Sequence, residues 1–331
     1  MFKKMKEKNV TRLLVGSASA MHLLVDGICL CTLYVMVKSV SVDSVIAVFL
    51  TYNILAFMSQ PFTGIVADKV RKMHWLLIAA LCFLVLAVVI CVLLVNCDFL
   101  HRFLPQLIVA ILLGLGNSLF HVWGGKQMVV QTGNDMKTLG VFVSTGAFGL
   151  ALALVLYSWT LLYVFLILLC SFALIYIMSD RNIANLEENE ANVPIHDESY
   201  KTSFVIAVIA SIAAFVMMRS YIGETFSSGI DKNATLIIVI GAVAMLGKMT
   251  GGWVARWFGI AKSLIAVLTL VLLCYVFKTS GLPMVLCGIY LINTTMPITL
   301  YLANMVMRDK EGLAFGILAA ALIPGYLLAL L

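Results

Sequence analysis

Charge is what this chain has least of. Asp, Glu, Lys and Arg make up 11% of its 331 residues and hydrophobic types 63%, a balance that excludes an ordinary soluble globule. The apolar runs do not alternate, which excludes an outer-membrane barrel. The formal charge of +6 could suit nucleic acid, but the basic residues sit in loops at the ends of the runs, so no nucleic-acid partner is expected. The eight cysteines contain no Cys-x-x-Cys pair and fall mostly inside apolar runs, where they read as small hydrophobes. No Gly-x-x-x-x-Gly-Lys-(Ser/Thr) loop is present, so direct ATP drive is not expected. No nucleophile–base pair or tight metal-ligand spacing emerges, so neither an enzyme nor a cofactor or metal is expected. The basic N-terminus is followed by a run too long for a signal-peptide core and without a small-residue cleavage site, and should stay as the first span.

What the chain has is apolar runs of bilayer-spanning length, about 20 residues or more. Candidate spans cover 13–37, 44–67, 73–95, 104–127, 138–157, 159–178, 203–223, 234–255, 260–278, 281–305 and 312–331. The reading is therefore an all-α polytopic membrane protein of 11 transmembrane helices, with short loops that force antiparallel neighbours. Sixteen of the 22 Lys and Arg lie in loops on the N-terminal side, against four (Lys38, Arg102, Lys232 and Lys278) on the other. By the positive-inside rule the N-terminus is cytoplasmic, in the cell's inner membrane. The one long polar stretch, with Glu187, Glu188, Glu190, Asp197 and Glu198, reads as a flexible tether. It divides the chain into a six-helix bundle at 1–178, a cytoplasmic linker at 179–202 and a five-helix bundle at 203–331. His196 in the linker has no second ligand nearby.

An internal repeat supports two halves. Asn117, Gly140 and Gly149 align with Asn293, Gly316 and Gly325 at a constant offset of 176 residues. A second echo pairs Thr63–Asp68 with Gly251–Arg256. Parallel repeats about an axis along the membrane normal are one transporter design.

Polar residues inside the spans are the candidate site. His22 and Asp26 are four apart in the first span and share a helix face that cannot be turned to lipid. Asp26 lies roughly 20 Å above the cytoplasmic end and Arg219 in the seventh span roughly 24 Å, at 1.5 Å per residue. His22 and His121 suit proton relay, since histidine titrates near neutral pH. Asn117, Asn293 and Thr294 are read as cavity-lining or interhelical hydrogen-bonding groups. Trp123 and Tyr34 could stack on a substrate ring or simply pack. Lys126 and Lys248 are expected to snorkel to the cytoplasmic interface. Gln60-Pro61, Pro297 and Pro324 mark expected bends.

The stretch Gly64-Ile65-Val66-Ala67-Asp68-Lys69-Val70-Arg71-Lys72 resembles the loop motif of the major facilitator superfamily, in which an acid and cations latch the cytoplasmic face. Its copy around Gly252 carries Arg256 where the acid would stand. Within that superfamily, His22-x-x-x-Asp26, Gly114–His121 and Arg219–Phe226 resemble segments of the fosmidomycin-resistance-like exporters. The resemblance implies a two-bundle fold whose first, fourth, seventh and tenth spans line a central cavity, where Asp26 and Arg219 would face each other. It implies a secondary transporter exporting a small organic solute by alternating access, coupled to protons with Asp26 as carrier. Proton-coupled uptake and a non-transporting paralogue are the alternatives. The superfamily usually has twelve spans and eleven are expected here, so the twelfth is dispensable, or a second chain supplies it, or the chain is a truncated relic.

Overall fold

In lipid every backbone polar group must be paired within its own segment, which leaves a run of apolar residues only the helix. The computed structural model describes residues 2–37, 42–96, 103–187, 200–228 and 230–330, and all its elements are helical. Residues 188–199 of the expected linker, with His196, and the loop cations Lys38 and Arg102 lie outside the described residues. The helices are α1 (Phe2–Met36), α2 (Val42–Asn53), α3 (Gln60–Lys69), α4 (His74–Asn96), α5 (Phe103–Thr132), α6 (Met136–Leu156), α7 (Trp159–Glu187), α8 (Thr202–Ser227), α9 (Ala234–Phe258), α10 (Ile260–Val276), α11 (Leu282–Val306), α12 (Glu311–Ala320) and α13 (Leu322–Leu330).

Among the described residues ten helical stretches are long and apolar enough to cross a membrane, α2–α3 and α12–α13 each counting as one. The expected span at 260–278 is α10, whose 17 residues reach only about 26 Å at 1.5 Å per residue. The breaks fall where proline denies a backbone donor. A π-helical turn at Ile54–Met58 precedes Pro61 in the first turn of α3. Ala321 separates α12 from α13 just before Pro324. Pro297, by contrast, is carried inside α11.

Small residues let the helices touch backbone to backbone, and the repeated glycines do so at matching places. Gly149 on α6 sits against the Leu23 carbonyl of α1, and its counterpart Gly325 on α13 sits against the Met217 carbonyl of α8. Gly140 on α6 faces the Lys248 carbonyl of α9, while Gly316 on α12 faces the Gln60 carbonyl of α3. Gly64 meets Gly312, and Gly252 meets Met136. The 176-residue offset therefore corresponds to a repeat of contacts as well as of letters. The Gly140, Gly252, Gly64 and Gly316 contacts form two seams, α6 with α9 and α3 with α12, which leave a space between α1, α5 and α6 on one side and α8, α9 and α11 on the other.

Candidate functional site

That space is a cavity of about 180 Å³, and its lining includes His22, Asp26, Gln60, His121, Arg219 and Lys248. A second cavity of about 250 Å³ shares Arg219, Lys248, Met296 and Leu322 with it and continues to Glu224 and Ser227. Ser227 ends α8, so the joined space runs from mid-depth toward the end of the molecule reached by that terminus.

One wall is a cluster built on α1. His22 and Asp26 stand one turn apart, and α5 adds Asn117 and His121, also one turn apart. The Asn117 amide donates to Asp26 Oδ1 at 3.0 Å. His22 Nε2 lies 3.4 Å from Asp26 Oδ2 and His121 Nε2 lies 3.5 Å from Asp26 Oδ1. The two Nε2 atoms are 2.9 Å apart. Each ring is held from behind: His22 Nδ1 donates to the Phe142 carbonyl at 2.7 Å and His121 Nδ1 to the Asn117 carbonyl at 2.9 Å. Phe142 also stacks on His22, with ring centroids 4.9 Å apart. Gly146 makes room for this, because a methyl group there would meet Asp26 Oδ2 and His22 Nε2. Asp26 is 8% exposed, so its charge is satisfied by these neighbours and the cavity.

The opposite wall carries positive charge. Arg219 is 7% exposed and its Nη1 has no hydrogen-bond partner. Among the described residues no carboxylate comes within ion-pair distance of Arg219 or Lys248. Asp26 and Arg219 thus line one cavity without forming the direct pair expected of them. Lys248 departs from the expectation of snorkelling: it lines this cavity, ten residues before the end of α9 at Phe258, roughly 15 Å along the helix.

The other candidates separate. Asn293 lines the second cavity. Asn117 serves Asp26. Thr294 is buried, bonded to the Leu291 carbonyl. Trp123 is fully buried between Phe120 and Tyr176, and Tyr34 packs on Phe49 and Tyr157; neither lines these cavities. His22, Asp26 and His121, set aside as a metal site for want of tight spacing in the sequence, place possible ligand atoms within 4.8 Å of one another.

The loop motif forms a separate contact. Asp68 accepts from the backbone N–H groups of Gly312 and Leu313, each at 2.9 Å, at the start of α12, where the helix dipole favours a carboxylate. Lys126 pairs with Asp68 at 3.2 Å and also donates to the Ala67 carbonyl at 3.0 Å. The expected motif cations Lys69, Arg71 and Lys72 are exposed instead. At the other seam Arg256 lies 3.7 Å from Asp135, the residue that precedes α6. The second contact therefore keeps an acid at a helix start, with the acid on the partner helix's side. Sequence reading missed Lys126 and Lys248; their signal was flanking glycines, Gly124-Gly125 and Gly247, which mark helix faces turned inward.

No family model and no curated protein matches this sequence. Solved structures do match. They include the E. coli fucose:proton symporter FucP (13% identity, TM-score 0.62, 96% of this chain and 89% of that one). FucP in the outward conformation is similar too (14%, 0.59, 96% and 89%). So is a bacterial homologue of the iron transporter ferroportin in the outward-facing state (13%, 0.65, 97% and 90%). These likenesses, spread over nearly the whole chain, give it the fold of the major facilitator transporters.

Proposed function

We propose that this chain is a secondary active transporter that moves a small organic solute by rocking two helical bundles, residues 1–178 and 203–331, about a midplane site. The observation that carries the reading is the cavity itself: a titratable cluster on one bundle faces two unpaired cations on the other. Charged groups at that depth cost several kcal/mol unless they serve a partner or a pathway. The latch at Asp68 is closed while the space beside Arg219 runs toward Ser227, an arrangement suited to one state of alternating access.

The coupling ion is the proton, taken up at the cluster around Asp26. Resemblance to the fosmidomycin-resistance-like exporters supports export in exchange for protons across a cytoplasmic membrane, with the N-terminus inside as the loop charges direct. Arg219 favours a second reading. An anionic solute held by Arg219 and Lys248 would attract a proton onto the facing cluster, so solute and proton would travel together as in uptake.

Counterflow in proteoliposomes tests the proposal. Labelled solute chosen by thermal-shift screening should accumulate against unlabelled solute, and an imposed pH gradient should drive it further. Asp26→Asn should insert and exchange solute yet lose the response to pH. Absence of flux for every stabilising solute would contradict transport. The sign of the pH response separates exchange from co-transport.

A further inference from the structure

We infer that the cluster holds its proton between the two imidazoles, on the His22 Nε2–His121 Nε2 axis, with Asp26 as a permanent counter-charge. The placement of the proton follows from counting donors; its role in coupling rests on the transport reading above. Carbonyl oxygens only accept, so the Phe142 and Asn117 carbonyls require a hydrogen on both Nδ1 atoms. A neutral imidazole carries one N–H, which leaves both Nε2 atoms as bare lone pairs. They face each other at 2.9 Å beside a carboxylate at 3.4 and 3.5 Å. Three acceptors with no donor among them repel, and one cation resolves the conflict.

Distances choose the cation and its seat. An N–H···N bond at 2.9 Å is ordinary and, carrying charge, strong. A proton on Asp26 would have to reach an imidazole nitrogen at 3.4 Å or more, beyond a good O–H···N bond, while Asn117 already donates to the same carboxylate. A metal is the other candidate, because bound histidines commonly turn the second N–H to a carbonyl as these do. Tetrahedral ligation with bonds of about 2.0–2.1 Å would set the two nitrogens about 3.3 Å apart, wider than observed. The geometry fits one shared proton.

The charged and titratable groups around the pair are few. Asp26 and Cys29 come from α1, Tyr52 from α2, Arg219 from α8 and Lys248 from α9; α6 presents Phe142, Gly146 and Ala147. Asp26 alone draws the proton in.

The test is ¹⁵N NMR on histidine-labelled protein in nanodiscs, with His74, His101 and His196 replaced by asparagine so that only the pair reports. The expected result is three protonated nitrogens out of the four, with both Nε2 signals changing together as a single proton is taken up. In His121→Gln, His22 should keep its Nδ1–H and lose that joint uptake. Two bare Nε2 atoms at every pH where the protein is folded would overturn the proposal, as would independent protonation of each ring. So would equimolar Zn²⁺ displacing both Nε2 signals together, which would make the cation a metal. The measurement needs no flux, so a shared proton without counterflow sinks only the transport reading, and counterflow with bare nitrogens sinks only this one.

Discussion

Asp26 accepts from Asn117 and faces His22 and His121, and each of these three side chains can be removed singly. Replacing it by Asn keeps shape and the Asn117 contact while deleting the charge, which is why uncoupling rather than unfolding is expected. Trp123 offers the opposite case. Its ring is fully buried and its Nε1 has no partner, so Trp123→Phe keeps most of the packing and removes an orphan donor. Melting temperature and flux should both stay close to wild type, a change within about 1 kcal/mol, whereas Trp123→Ala should cost about 3–5 kcal/mol. Solute affinity falling in Trp123→Phe at unchanged stability would reinstate Trp123 as a substrate-stacking residue. Arg219→Gln should weaken binding of anionic probes such as benzoate by roughly tenfold, about 1.4 kcal/mol, and leave benzyl alcohol unaffected. Equal loss for both probes would mean that Arg219 acts through packing.

Between elements, the contact most open to manipulation is α3 with α12. Asp68 bonds two backbone N–H groups at the start of α12 and pairs with Lys126. Interaction of a charge with a helix terminus contributes about 0.3–2 kcal/mol, and removing it should shift population toward the state open at the latch. Asp68→Asn should lengthen spin-label distances across that face in a larger fraction of molecules; an unchanged distribution would show the latch to be held by packing alone. Gly64→Ala acts on the same seam sterically, since the added methyl would lie 2.5 Å from the Gly312 carbonyl. Its effect should match that of Asp68→Asn in direction.

How much of this was legible beforehand differs by kind of contact. Relations within one helix were readable: His22 and Asp26 share a face because of helical period, and Gly140 and Gly316 announced equivalent crossings because one offset linked them. Relations between helices were not. His121 meets His22 across 99 residues, with the His22 ring held by the Phe142 carbonyl of α6, which Gly146 and Gly149 let approach α1. Lys248 reaches the cavity because Gly247 and Gly251 seat α9 against the Tyr290 and Thr294 carbonyls of α11, a rotation that hydropathy alone does not fix. Asp26 and Arg219 line one cavity, but a similar height along two helices does not specify partners, and the expected pair is a shared cavity instead.

At the scale of the whole molecule, a cavity of about 180 Å³ exceeds one of about 150 Å³ known to bind benzene, so it has room for a single ring. The two walls, on α1 and α5 and on α8 and α9, are held facing each other by the α6–α9 and α3–α12 seams, and in the proposed mechanism rocking about those seams exposes the cavity to each side in turn. On the proposed transport reading, solute and proton would share that space and move together. The most direct measurement is internal pH in proteoliposomes carrying a trapped pH dye, after a solute gradient is imposed without any pH gradient. The account predicts that the solute gradient alone changes internal pH with wild-type protein and leaves it unchanged with Asp26→Asn. An equal pH change in both, or solute flux in the wild type with no pH change, would contradict it.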